Sequence, residues 1–128
     1  MTKKEHWKAE PDEHDFPAAG AYLSLLMTRP GVTATVRKLK AAPLSKSKAN
    51  DLLRASRLEL LPMEDPEVLR DLKKVRKGEQ LSPVLVVRGH AASDVALTIA
   101  DGYHRVCASY HLDEDAEIPC RIVDPPPA

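Results

Sequence analysis

The sequence has no apolar run long enough to cross a lipid bilayer, and its charged first residues are not followed by the apolar segment of a signal peptide. These two absences predict a cytoplasmic protein that makes no use of a membrane. Cysteine is scarce as well, since Cys107 and Cys120 are the only two and no C-x-x-C pair is present. Without a secretory signal, we expect both thiols to be reduced, buried and structural.

Net charge is also lacking, because 19 Lys and Arg residues balance 19 Asp and Glu residues. Non-specific DNA-binding proteins depend on a basic footprint that displaces counterions from phosphates. The sequence therefore argues against stand-alone DNA binding, although a local basic patch is compatible with it. No serine lies in a G-x-S-x-G turn, so a hydrolase triad of that type finds no support. At 128 residues the chain fits one domain with a real core.

One short segment, residues 97–108, carries most of the chemical information in the sequence. Residues 97–100 are apolar with β-branched members, a pattern typical of a buried strand. Asp101 and Gly102 break this run, and from Tyr103 onwards the apolar positions recur at helical spacing. The sequence therefore predicts a strand that turns sharply into a helix.

This turn has the properties of an anion-binding site. The first N–H groups of a helix have no partner within it and carry partial positive charge, so the amides of Tyr103, His104 and Arg105 could hold a phosphate. Gly102 lets the backbone approach a ligand closely, and Arg105 can bind a phosphate or carboxylate through two hydrogen bonds. His104 offers a donor that titrates near neutral pH. Asp101 could bind a metal ion or take a proton from a hydroxyl group.

A plain structural interpretation of the same turn stays open. Asp101 could cap the helix by accepting hydrogen bonds from the N–H groups of Tyr103 or His104. Arg105 would then be solvated and His104 packed. A strand, an Asp-Gly pair and a helix follow one another in many proteins without binding anything.

A zinc site is a further alternative for the helix. His104, Cys107 and His111 lie at i, i+3 and i+7, so one helix face could present three ligands, with Cys120 as a fourth. A helix stripe in which Cys107 is in the core and His111 is exposed explains the same spacing. The pattern favours this second interpretation, because closed zinc sites usually take ligands from a tight turn.

Residues 102–108 fit G-x-x-R-x-x-A, the phosphate-binding signature of the ParB/sulfiredoxin superfamily. Residues 60–123 resemble that superfamily in order and spacing, with a helix at 65–77, the strand L-S-P-V-L-V-V at 81–87 and a closing strand at 118–123. The resemblance implies an α+β fold of ParB/sulfiredoxin type, in which helices pack on a small mixed sheet. It leaves an N-terminal helical extension unmatched.

The residues inside the motif decide between the subfamilies. Sulfiredoxins have a reactive cysteine at the position of Tyr103, and a tyrosine cannot supply that thiolate chemistry, so sulfiredoxin activity is not expected. The form D-G-x-H-R at residues 101–105 looks like that of small-molecule kinases in the superfamily. The resemblance thus implies a nucleotide- or phosphate-binding domain that could be a phosphotransferase, with Mg²⁺ and ATP, ADP or CTP, or with a phosphorylated small molecule.

The same resemblance implies catalytic roles for individual residues. Asp101 would act on an acceptor hydroxyl group with Mg²⁺, and His104 would neutralise charge beside Arg105. Glu64 is the candidate for a second catalytic carboxylate, because kinases of the superfamily place an acidic residue there facing the phosphate turn. Capping of the following helix is the plain alternative for Glu64 and its acidic neighbours.

A non-enzymatic function is the second hypothesis. ParB chains continue into a helix-turn-helix and a dimerisation segment, and we see no room for either after Val123. The chain would then be a regulatory or partner-binding ParB-like module without a DNA-reading domain.

The chain divides into four parts. Residues 1–15 are polar and aperiodic and predict a flexible arm, which Trp7 could attach to the domain. Residues 16–42 predict a helical extension with helices at 16–27 and 32–42, although the Val and Thr content of the second segment would also suit a strand. The extension would pack on the core or on a second copy of the chain, which leaves a homo-oligomer open. Residues 43–124 form the ParB/sulfiredoxin-like domain, and 125–128 are a proline-rich tail.

Within the domain, local signals predict most of the elements. Residues 43–47 and 83–88 suit strands, and 49–56 a helix. The clearest helix starts at Asp65, an N-cap candidate followed by Pro66, and ends at Gly78. A polar loop then connects the strand at 83–88 to a strand at 96–100, with which it should pair antiparallel.

Overall fold

A computed structural model describes residues 7–127 of the chain, so the first six residues of the predicted arm and the last residue of the predicted tail lie outside the description. The architecture is α+β, as predicted. The helices are α1 (Asp15–Leu23), α2 (Arg29–Ala41), α3 (Ala49–Ser56), α4 (Pro66–Arg76) and α5 (Tyr103–Leu112). The strands are β1 (Leu44–Lys48), β2 (Val84–Val87), β3 (Thr98–Asp101) and β4 (Glu117–Val123).

The four strands form one mixed sheet in the order β1-β4-β2-β3. β1 and β4 are antiparallel, β4 and β2 are parallel, and β2 and β3 are antiparallel, as the sequence predicts for the last pair. The register between β2 and β3 shifts between Leu85 and Val86. β2 is thus an inner strand, and β3 ends at the edge of the sheet where α5 begins.

The sheet is buried on both faces, which explains why β2 reads as four consecutive apolar residues. Val84 and Val86 face the cluster formed with α3, α4 and α5, while Leu85 and Val87 face a second cluster formed with α1 and α2. All four side chains are at most 4% exposed. The N-terminal extension therefore covers one face of the sheet at β2, β3 and β4 and belongs to the same packed body.

The helices α3 and α4 begin where local signals place them. The carboxylate of Asp65 accepts hydrogen bonds from the backbone N–H groups of Glu67 and Val68, at 3.0 and 3.1 Å, and Pro66 occupies the first turn of α4. After α4, Gly78 has φ +80°, the left-handed conformation that glycine adopts readily. α3 has the predicted bounds, with Leu52 and Leu53 buried.

The first helix is shorter than the predicted 16–27. After Leu23 the backbone hydrogen bonds change to the tighter i−3 pattern, because Leu25 N–H donates to Tyr22 and Leu26 N–H to Leu23. Leu25 and Leu26 are consequently 79% and 55% exposed. The chain reverses here before α2, whose first turn contains a proline.

The segment from residue 7 to residue 15 is not a flexible arm, which corrects the sequence prediction. Trp7 pairs with Leu81 as an isolated parallel bridge, and the N–H of Lys8 donates to the carbonyl of Leu81 at 2.8 Å. The N–H of Asp12 donates to Oγ of Ser82 at 3.0 Å. These bonds fix the segment beside β2, with Trp7 packed against the core as anticipated. In the described residues, no helix is both long enough and apolar enough to cross a membrane.

Candidate functional site

The predicted strand-to-helix turn is present, and Gly102 sits at its corner with φ +113°. A Cβ atom at this position would lie 2.9 Å from Nη2 of Arg105 and 2.9 Å from a methyl group of Val84. Those contacts are too close for any side chain. Gly102 is therefore favoured by its backbone conformation and by the close approach of Val84, and a Cβ atom here would also displace the end of the Arg105 side chain.

Arg105 is buried rather than solvated, with a side chain that is 16% exposed. Its Nη2 donates to Oδ2 of Asp101 at 2.9 Å and to the carbonyl of Pro83 at 3.4 Å. Its Nε is a buried donor for which the described residues provide no acceptor. Buried donors without a partner are rare in native proteins, so this unpaired N–H group sets the turn apart from an ordinary helix start.

Asp101 does not cap α5, so the capping interpretation of this residue is wrong. The N-cap position is taken by Gly102, and the Asp101 carboxylate turns instead towards Arg105. Burial raises the pKa of Asp101, and this effect outweighs the opposing attraction of Arg105. A hydrogen bond and repulsion from the neighbouring carboxyl group of Asp15 raise the pKa further.

Asp15 is a site residue that the sequence prediction missed. Its side chain is 4% exposed, its Oδ2 lies 3.8 Å from Nη2 of Arg105, and it accepts a hydrogen bond from the hydroxyl of Ser82. It is the first residue of α1, after His14 at the N-cap position. No local pattern could reveal that the first turn of α1 meets the first turn of α5.

A cavity of about 310 Å³ opens over this turn, between α4, α5 and the N-terminal segment. Its volume is at the lower end of the range of small-molecule sites. Charged groups dominate its wall. The carboxylates are Asp12, Asp15, Glu67, Asp71 and Asp101, and the basic groups are Lys8, His14, Arg70, Lys74, His104 and Arg105.

The carboxyl group of Asp71, on α4, is the second feature that the sequence did not reveal. Asp71 is 8% exposed, and among the described residues no hydrogen bond or ion pair to its carboxyl group is formed. Burial raises its pKa, with Arg105 and Lys74 opposing the shift. Asp71 looked like one polar position of an amphipathic helix, and only the packing of α4 against α5 turns it inward.

The residues predicted for the site separate into two groups. Asp101, Gly102, His104 and Arg105 line the cavity. Glu64 is exposed and lies outside the cavity wall, and the hydroxyl of Tyr103 donates to the carbonyl of Glu59, so only its backbone is placed at the turn.

The zinc alternative does not fit the geometry. Nε2 of His111 lies 2.7 Å from the carbonyl oxygen of Leu61, and Cys107 is fully buried in the core. Burial raises the pKa of the Cys107 thiol, which disfavours the thiolate that zinc requires. Both cysteines are free and buried, as expected.

Another group could hold a metal ion. One ligand atom each from Asp12, His14 and Asp15 lie within 4.8 Å of one another at the edge of the cavity. Asp12 is also bound by Lys8, whose Nζ lies 2.7 Å from Oδ1, and this hydrogen bond lowers the pKa of Asp12. A cation at this place would have to displace Lys8 from the carboxylate.

A larger groove of about 450 Å³ runs between α1 and α2, but few of the side chains that line it are polar or charged. Its wall is mainly apolar, with Phe16, Val32 and Val36, and its charged groups are Arg37 and Lys40. It contains no carboxylate or imidazole. Carboxylates, imidazoles and basic groups occur together in the smaller cavity, which we therefore take as the candidate site.

Comparisons of the chain with protein-family models, with curated proteins and with solved structures find no match. The candidate site is accordingly defined by its own geometry, the buried Arg105 and the aspartates around it at the N-terminus of α5.

Proposed function

We propose that the cavity binds the phosphates of a nucleotide together with Mg²⁺, and that the protein is a cytoplasmic small-molecule phosphotransferase. The observation that carries this proposal is the buried Nε of Arg105 at the N-terminus of α5, a donor for which residues 7–127 supply no acceptor. The first backbone N–H groups of α5, at Tyr103 to Arg105, add further donors and partial positive charge. His104 supplies another donor on the same wall.

The carboxylates in the cavity make a bare phosphate a poor ligand. Asp15 and Asp101 lie beside the guanidinium of Arg105, and both would repel a phosphate dianion. A divalent cation removes this repulsion. Mg²⁺ prefers oxygen ligands and is commonly held by one or two carboxylates together with substrate phosphates, which the carboxylates of Asp12 and Asp15 can provide. When bound, Mg²⁺ would neutralise charge on the phosphate groups.

This proposal is tested by calorimetric titration of the protein with ATP, ADP and CTP, each with and without Mg²⁺. We expect binding of at least one nucleotide that depends on Mg²⁺ and that Arg105→Ala weakens at least 100-fold, since charge-assisted bidentate contacts to phosphate are lost. The matched control is Arg88→Ala, because Arg88 is exposed and pairs with Asp124 away from the cavity. If the two variants bound the nucleotide with equal affinity, Arg105 would not be part of the phosphate-binding site.

A non-enzymatic partner-binding module is the second candidate. An exposed apolar group at the end of α1 favours it, since Tyr22, Leu25 and Leu26 are 45%, 79% and 55% exposed. Turnover of a nucleotide would support the phosphotransferase, whereas binding without turnover would support a nucleotide-dependent switch. No binding of any nucleotide would favour the module.

A further inference from the structure

The inner wall of the cavity on α4 has a buried acidic group that the motif does not account for. Asp71 is 8% exposed and lines the cavity, although it lies outside the β3–α5 turn. Its carboxyl group forms no hydrogen bond with the described residues and lies on the wall of a polar cavity, where a ligand can reach it.

The groups that surround Asp71 place it beside the phosphate-binding turn. The charged groups that act on its carboxyl group are Arg105 and His104 on α5, and Lys74 and Arg70 on α4 itself. Arg105 and His104 belong to the first turn of α5. Asp71 therefore shares one cavity with the first turn of α5, where a transferred phosphate would be held.

Asp101 is poorly suited to accept a proton from a substrate. It accepts a hydrogen bond from Nη2 of Arg105 at 2.9 Å and is linked to Asp15 on its other side. A general base needs an oxygen that the proton can reach. The contacts of Asp101 hold the guanidinium of Arg105 over Gly102, which is a positioning role.

We propose that the α4 wall forms the acceptor subsite of this cavity, that its ligand is a small hydroxyl-bearing molecule, and that Asp71 is the catalytic base, with Asp101 positioning Arg105. This inference rests on the proposed phosphotransferase function. The acceptor's O–H proton passes to the Asp71 carboxylate while the acceptor oxygen bonds to the terminal phosphorus of the nucleotide. The bond from that phosphorus to the bridging oxygen breaks, its electron pair stays on the leaving nucleotide, and Asp71 then releases the proton to water.

The raised pKa of Asp71 is consistent with this role, because burial makes a carboxylate a stronger base. The basic groups around it, of which Arg105 has the largest effect, oppose the rise, so that the carboxylate can still form. Activity should fall as the pH drops through the pKa of Asp71, at a pH above the ordinary value for aspartate.

The experiment compares the wild type with Asp71→Asn, Asp101→Asn and the control Asp51→Asn, whose carboxylate is exposed on α3. Calorimetry gives the affinity for Mg²⁺-nucleotide. Turnover is measured with water and with a panel of small alcohols as acceptors, across a range of pH. We expect Asp71→Asn to bind the nucleotide within 3-fold of the wild type, to lose at least 100-fold in kcat, and to lose the acidic limb of the pH profile.

Asp101→Asn should instead weaken nucleotide binding and raise KM, while the acidic limb remains. The inference is overturned if Asp71→Asn turns over within 3-fold of the wild type, or if Asp101→Asn alone removes the acidic limb. If the wild type binds a nucleotide but shows no turnover, the role of Asp71 as catalytic base is rejected, while the proposal of a nucleotide site is retained. Failure of the wild type to bind any Mg²⁺-nucleotide defeats the proposed function itself, and the acceptor subsite with it.

Discussion

The carboxylate of Asp15, in the first turn of α1, lies 3.8 Å from the guanidinium of Arg105, in the first turn of α5. The hydroxyl of Ser82, just before β2, donates to the same carboxylate. Residues from the start, the middle and the end of the chain thus meet at one point. The N-terminal extension is part of the candidate site and supplies one wall of its cavity.

Replacing Asp15 by Ala should lower the free energy of unfolding by about 2 kcal/mol, because the buried Ser82 hydroxyl and the Arg105 guanidinium both lose a partner. Urea denaturation at neutral pH measures this loss. The control is Asp51→Ala, an exposed aspartate on α3, which should cost less than about 0.5 kcal/mol. Similar losses in the two variants would mean that Asp15 contributes nothing specific to the site.

Replacing Gly102 by Ala should be more costly than replacing Gly78 by Ala. Both residues have positive φ, at +113° and +80°, but a Cβ atom at Gly78 would meet nothing within 4 Å. Ala at Gly78 should therefore cost only the backbone strain of about 1 kcal/mol. Ala at Gly102 should cost at least about 2 kcal/mol more, because it also collides with Val84 and Arg105. Thermal denaturation of the two variants gives the difference, and equal costs would contradict the close packing of Arg105 over Gly102.

The charge on Asp71 should make the protein less stable as the pH rises. Because its pKa is higher in the folded state than in the unfolded state, the folded state holds the proton more tightly. This tighter proton binding contributes fully to the free energy of unfolding below the pKa that Asp71 has in the unfolded state. The contribution is lost as the pH rises through the pKa that Asp71 has in the folded state. Asp71→Asn should remove this loss and raise the melting temperature at pH 7 to 8.

The size of this effect is about 1.4 kcal/mol for each unit by which burial raises the pKa. The gain should shrink as the pH falls, because the carboxyl group of the wild type then becomes protonated in the folded state. Melting curves at several pH values measure it. A gain that does not change with pH would show that Asp71 is not the group responsible.

Replacing Asp65 by Ala should destabilise α4 by about 1 kcal/mol, because two backbone N–H groups at its start lose their acceptor. The neighbouring Glu64 is exposed and has no part in this cap, so Glu64→Ala serves as the control with little change. Circular dichroism during urea denaturation compares the variants. If both had the same stability, the cap would not contribute to the fold.

Local signals in the sequence predict much of the fold. The Asp65-Pro66 start and the Gly78 end of α4, the apolar run of β2 and the Asp101-Gly102 break before α5 all depend on neighbours within a few residues. The predicted end of α1 was wrong because apolar residues continue past Leu23 in the sequence. Only the reversal of the chain into α2 leaves Leu25 and Leu26 exposed.

The candidate site was predicted only in part, for a related reason. Gly102, His104 and Arg105 belong to a short motif whose chemistry is legible in the sequence, and all three line the cavity. Asp15 and Asp71 belong to helices that meet α5 through long-range packing. A single aspartate in an amphipathic helix has the same pattern whether it faces water or a cavity, so nothing nearby in the chain could distinguish them.

By itself, the sequence determined where the backbone bends and which turn has free amides, because caps, glycines and apolar spacing act over a few residues. Only the tertiary structure decided which charges share the cavity. The packing of α1 and α4 around the start of α5 removes Asp15, Asp71 and Arg105 from water together, and desolvation makes their mutual interactions strong enough to determine the chemistry of the site.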